Sequence, residues 1–186
     1  MSSNSSQIAR ENGEAVVMHA LPVSGGIVVF SSLPGTGGDY HGDLDHLASW
    51  RPALVICIAT PAELVAAGSH GLSQDVQDKG SRWVHLDVSN DDDPATTLRT
   101  TWPQVSAQAR RALLGGGRVM LHAPDGSGLC SMVLLRLMIE AGDAPDEAQD
   151  RLRSFFPQTI ADSRQLDWAL QADRGAVPFV RHGGRA

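Results

Sequence analysis

The chain predicts an α/β sandwich with a central, mainly parallel sheet of four to five strands and helices on both faces. Three observations predict it. Short β-branched runs alternate with helix-period segments from residue 16 to residue 170. The run 53–59 is apolar at nearly every position, the pattern of a strand covered on both sides. Helix start and stop signals also punctuate the chain at matching intervals. A length of 186 residues, 42% hydrophobic and 19% charged, is enough for one domain with a real core.

The elements follow in order. Residues 16–20 and 26–30 read as two strands joined by a turn at Pro22 and Gly25-Gly26. After a Gly-rich loop at 33–38, Asp39 caps a helix that carries Leu44, Leu47 and Ala48 and stops before Pro52. Residues 53–59 form the next strand. Thr60-Pro61-Ala62-Glu63 combines an N-cap, a first-turn proline and a capping-box acid, so a short helix runs to about Gly68. A second helix carries Leu72, Val76 and Gln77 to Gly80, and residues 82–88 are again a strand. An acidic loop, Ser89-Asn90-Asp91-Asp92-Asp93-Pro94, leads to a helix at 96–114, where Pro103 predicts a kink or a late start. Residues 118–122 are the next strand, and 128–141 is a helix apolar almost all round, hence central. Helices at 145–155 and 162–170 complete the fold. The domain spans 15–172, with a flexible N-terminal tail at 1–14 and a C-terminal tail at 173–186.

A net charge of −6 argues against nucleic acid or an anionic membrane as a bulk partner. No apolar run is long enough to span a bilayer, and residues 1–14 lack the basic and apolar regions of a signal peptide. The expectation is a cytoplasmic protein. Cys57 and Cys130 sit in apolar runs without disulfide or metal-ligand spacing, so no cofactor and no metal are expected. His41, Asp43, Asp45 and His46 fall close together on one helix and read as an exposed polar face. Trp50, Trp83, Trp102 and Trp168 read as packing residues.

The segment with most chemical content is Val119-Met120-Leu121-His122-Ala123-Pro124-Asp125-Gly126-Ser127-Gly128-Leu129-Cys130. An apolar strand runs into a Gly-containing loop that opens a helix, the layout of an anion cradle. Its spacing resembles the phosphate loop H-C-x-x-G-x-x-R-[ST] of cysteine-dependent protein tyrosine and dual-specificity phosphatases. Other segments resemble the small bacterial dual-specificity members: Leu33-Pro34-Gly35 before an Asp/Leu-rich helix, Val55-Ile56-Cys57-Ile58 leading to Glu63-Leu64, Asp146-Glu147-Ala148 leading to Arg153 and Pro157, and Gln165-Leu166-Asp167-Trp168. The likeness covers roughly residues 26–172.

In that family a cysteine thiolate attacks phosphorus, an arginine fork holds the phosphoryl oxygens, and an aspartic acid protonates the leaving group. The resemblance therefore implies lost chemistry. Ala123 stands at the cysteine, Leu129 at the arginine and Asn90 at the general acid. His122 and Gly126 match the motif, the histidine as a support for the loop. Asp125 opposes an anion by roughly 2–3 kcal/mol per charge at ~6–7 Å and an effective dielectric of ~20, and Pro124 removes one loop N–H. The expected function is that of a pseudophosphatase binding a protein partner or a small anionic ligand through His122, Ala123, Pro124, Asp125, Gly126, Ser127, Gly128, Leu129 and Cys130. The alternative is residual hydrolysis through Cys130, Asp125 or the acids Asp91–Asp93.

Overall fold

The computed structural model describes residues 15–88, 94–124, 128–155 and 162–174. Five strands form one sheet: β1 (His19–Val23), β2 (Gly26–Ser31), β3 (Leu54–Ile58), β4 (Arg82–Leu86) and β5 (Arg118–His122), in the order β1-β2-β5-β3-β4. Every pairing is parallel except β1 with β2. The helices are α1 (Tyr40–Ser49), α2 (Pro61–Ala66), α3 (Leu72–Asp78), α4 (Pro94–Leu114), α5 (Leu129–Glu140), α6 (Pro145–Phe155) and α7 (Ser163–Leu170). The mainly parallel five-stranded sheet is the architecture the sequence predicts. No helix among the described residues is long and apolar enough to cross a membrane.

Period two divides the strands between two cores. Val29, Val55 and Met120 face α1 and α3, packing on Leu44, Leu47, Leu72 and Val76. Val28, Ile56, Val119 and Leu121 face the other way, into the larger core closed by α4, α5, α6 and α7. All five residues of β3 are buried, as its unbroken apolar run requires. Helix α5 lies in the middle of the larger core, with nine of its twelve residues buried. That placement explains its lack of a polar face.

The caps form where the sequence places them. Asp39 accepts from the Gly42 N–H at 2.9 Å. At α2, Thr60 Oγ1 accepts from the Glu63 N–H at 3.2 Å while Glu63 Oε2 accepts from the Thr60 N–H at 2.7 Å, a complete capping box. Two expectations are corrected. The first strand runs over His19–Val23 rather than 16–20, and the turn is Ser24-Gly25, with Ser24 at φ +56° as in a type II′ hairpin. Pro22 is tolerated inside β1 because the strand is an edge. Helix α4 begins at Pro94 and continues through Pro103, so there is no late start. Leu98, Trp102, Val105, Ala109 and Leu113 are buried on both sides of the proline, and that packing outweighs one missing hydrogen bond.

Asp43 is a further correction, because it is buried at 4% exposure rather than part of an exposed face. Its carboxylate accepts from the Val16 N–H at 2.9 Å and the Gly35 N–H at 2.8 Å, tying the entry segment and the loop before α1 to one helix. Asp45, by contrast, is exposed and pairs with Lys79 at 2.8 Å. Replacing Asp43 with alanine removes two charge-assisted bonds and is expected to cost about 2–4 kcal/mol in urea unfolding. Asp43→Asn keeps an acceptor and should lose roughly half as much. Equal losses in the two variants would show that packing, not hydrogen bonding, sets the effect.

Candidate functional site

The site is the turn from β5 into α5, at the carboxyl end of the central strand. Open α/β sheets place their ligands there, since loops leave the sheet together at that edge. β5 is hydrogen-bonded to β2 on one side and β3 on the other, so the end of the strand is held from both flanks. The structure places His122, Ala123 and Pro124 at the end of β5 and Gly128, Leu129 and Cys130 at the start of α5, and brings Ala123, Leu129 and Cys130 into one apolar cluster. Asn90, Asp91, Asp92, Asp93, Asp125, Gly126 and Ser127 lie outside the described residues.

His122 is 1% exposed on the face toward α1 and α3. Its Nδ1 lies 2.8 Å from Ser31 Oγ, and Ser31 Oγ donates to the Ser32 carbonyl at 2.9 Å. Burial lowers the imidazole pKa to about 4, and the Ser32 backbone opposes the shift only in part. The ring is therefore neutral at pH 7. Cys57 is its register neighbour on β3. Burial first, and the Glu63 charge second, push that thiol up to about 12, so it is an inert packing group. An apolar crevice between α1, α3 and the sheet reaches His122, but its free volume of about 20 Å³ suits a single water-sized occupant.

Ala123 faces the opposite core. It is 3% exposed and clusters with Leu129, which is 6% exposed, and with Met132 and Val133. The Ala123 N–H donates to the Ser31 carbonyl at 3.4 Å, extending the β2–β5 ladder one residue past the strand. Pro124 is half-buried. Gly128 is the N-cap of α5 at φ +70°, a conformation costly for any residue with a Cβ, and it supplies no side-chain cap. Cys130 is half-buried and packs on the same core as Leu129.

One neighbour of the loop was not singled out as a site residue in the sequence. Gln165 on α7 is 9% exposed, and its Oε1 lies 3.2 Å from where a Cβ on Gly128 would sit. A readable signal existed: Gln165, Trp168 and Ala169 share the buried face of α7 at i, i+3 and i+4. Among the described residues no cluster of three or more His, Cys, Asp or Glu side chains could hold a metal ion.

With this geometry in place the comparisons are informative. No protein-family model and no curated protein sequence matches the chain. Solved structures do. Kinase-associated phosphatase, crystallised with its catalytic-site cysteine replaced by serine, superposes with a TM-score of 0.72 at 16% identity, over 85% of this chain and 94% of that one. Tk-PTP in its active form gives 0.61 at 17%, over 79% and 91%. Human DUSP28 gives 0.55 at 14%, over 87% and 98%. The chain has the fold of the tyrosine and dual-specificity phosphatases.

The buried histidine makes the fold sensitive to acid. Its pKa is about 4 when folded and ~6.5 when unfolded, so the unfolded chain takes up the proton first. Its contribution is complete above pH ~6.5 and is lost progressively as pH falls from there toward 4, a change on the order of 3 kcal/mol. His122→Asn, which keeps a hydrogen-bonding group toward Ser31 without titrating, should flatten the stability–pH curve over that window. Urea midpoints measured between pH 7 and pH 4 check this, and an unchanged slope would assign the acid sensitivity to other groups.

Proposed function

We propose that this chain is a pseudophosphatase, a phosphatase-like domain that binds through the β5–α5 loop region without hydrolysing phosphate esters. The observation that carries the reading is the burial of Ala123 and Leu129 in the apolar core, at the motif positions of the attacking cysteine and the phosphate-binding arginine. Ala123 has no lone pair with which to form a covalent intermediate. Leu129 brings no charge, and its packing against the α5 core draws the side chain away from any anion at the loop. By the resemblance of its acidic loop, Asn90 takes the general-acid position, where a carboxamide cannot protonate a leaving oxygen.

His122 does not substitute for these groups. A neutral, fully buried imidazole already bonded to Ser31 is placed to support the strand end, not to accept a substrate proton. Cys57 is equally unsuited, with its thiol held protonated by burial. The ligand is then recognised by the loop and the elements around it: a partner protein or a small molecule seated at the carboxyl edge of the sheet.

The test is turnover of an aryl phosphate by the purified chain with metal chelated, beside a Cys130→Ser variant. Both should match the buffer blank. Residues that act as one catalytic unit lose their effect together, so Ala123→Cys alone should recover very little. Ala123→Cys with Leu129→Arg should form a phosphoryl-enzyme detectable by mass spectrometry, after circular dichroism has shown that the double variant folds. Metal-free turnover in the parent that disappears in Cys130→Ser would overturn the proposal in favour of a displaced nucleophile.

A further inference from the structure

We propose that the amino edge of the parallel strands docks a short acidic segment of a partner protein on Arg51, Arg82 and Arg118. This surface lies at the opposite end of the strands from the β5–α5 loop, and the inference is independent of the non-catalytic reading.

Strand register gathers the three arginines. β4 and β5 both start beside the residue that precedes β3: the Ala53 N–H donates to the Arg118 carbonyl at 2.8 Å, and the Arg82 N–H donates to the Ala53 carbonyl at 3.2 Å. Adjacent strands lie about 4.8 Å apart, so the Arg82 and Arg118 backbones stand roughly 10 Å apart with Ala53 between them. Arg51 is just upstream, across Pro52. All three arginines are exposed, and so is Ala53, which leaves a small side chain as the floor between the charges. Alternation turns Arg118, like Met120, toward α1 and Arg82, like Leu86, toward the larger core. The charges therefore straddle the edge of the sheet instead of meeting at one point.

Two features separate this edge from ordinary surface charge. Among the described residues none of the three arginines has a carboxylate partner, although the chain carries a net charge of −6. The acids of α1 and α3 nearby are engaged elsewhere: Asp45 with Lys79, Asp78 with Gln74. The second feature is Arg51 itself. It has φ +54°, at the position after the α1 C-cap where glycine is the usual residue. No hydrogen bond or ion pair of its side chain offsets that strain. The carbonyl end of α1, which favours a cation, is already met by Arg118. That guanidinium donates to the Trp50 carbonyl at 2.6 Å and lies 5.1 Å over the Trp50 ring, so it is ordered before any partner arrives.

Spacing and field decide the class of partner. Guanidinium forks spread across the edge match separate carboxylates of an extended chain, whereas one compact anion engages a single fork. The patch is short and the chain as a whole acidic, so a long polyanion such as nucleic acid would run onto a repelling surface. A short Asp/Glu-rich peptide fits both limits.

Two-dimensional ¹H–¹⁵N NMR on the full chain tests this, following the Ala53 backbone amide and the Arg118 Nε–H during titration with a hexaglutamate peptide. Both signals should shift saturably, and added salt should weaken the effect. Arg82→Gln and Arg51→Gly should each weaken binding about fivefold. Arg51→Gly also separates docking from structure, because glycine suits that backbone: its melting temperature should equal or exceed the parent's. A clearly lower melting temperature would assign Arg51 a structural role and overturn the proposal. So would a peptide that leaves both signals unmoved, variants that bind it as the parent does, or a single-stranded oligonucleotide of matching charge that binds more tightly.

Discussion

The rest of the structure depends on β5 sitting at the centre of the sheet. A strand with hydrogen-bonded neighbours on both edges and helices on both faces has every group committed, and period two then dictates where each side chain goes. Met120 and His122 go to the α1–α3 side, Val119, Leu121 and Ala123 to the α4–α7 side. The motif residues His122 and Ala123 are thereby sent to opposite cores by geometry alone. His122 must find its partner within the smaller core, which Ser31 at the same level on β2 supplies. Ala123 must be apolar or be compensated, because it opens onto α5. A shift of the strand by one residue would exchange these environments and place an imidazole in the larger core.

That same centrality makes α5 nearly all apolar and explains the cost of its two charged residues. Arg136 and Glu140 form an i,i+4 pair at 2.8 Å in which Glu140 is 5% exposed. Glu140 Oε2 also accepts from Trp102 Nε1 at 3.0 Å and from Ser106 Oγ, both on α4. The Arg136 guanidinium covers the Trp168 ring on α7, and Trp168 in turn meets Trp102 edge to face at 5.9 Å. A buried ion pair is rarely more stabilising than apolar packing of the same volume, but removing one partner leaves the other charged and dry. Its consequence is directional. Apolar helices can slide on one another, whereas this cluster fixes α4, α5 and α7 in a single register, and the register brings α7 against the start of α5.

These contacts also show what could be read from the chain beforehand. The capping box at Thr60 and Glu63, the Asp39 cap and the β3 apolar run are local signals, complete within a few residues, and each forms where the sequence places it. The first strand was displaced because Val16 is apolar for a different reason: it is buried beside α1, its N–H held by Asp43 rather than by a strand partner. Asp43 and Glu140 share the reason that their roles are not legible in the sequence. A polar residue on a helix looks solvated until its partners are known, and those partners lie 27 and 38 residues away: Val16 and Trp102. Of the site, the strand–loop–helix frame was legible, because Gly and Pro punctuate it. The facing of Ala123 and Leu129 into the core was not, since it follows from strand register and helix phase together.

The two apolar residues that bracket the loop, Ala123 and Leu129, set how it is anchored. A thiolate and a guanidinium at these positions have to be kept near solvent or a ligand, because burying either without a partner is costly. Alanine and leucine carry no such requirement. Leu129 instead contributes roughly 1.5–3 kcal/mol by burial, and with Ala123 it stitches both ends of the loop to the core beneath.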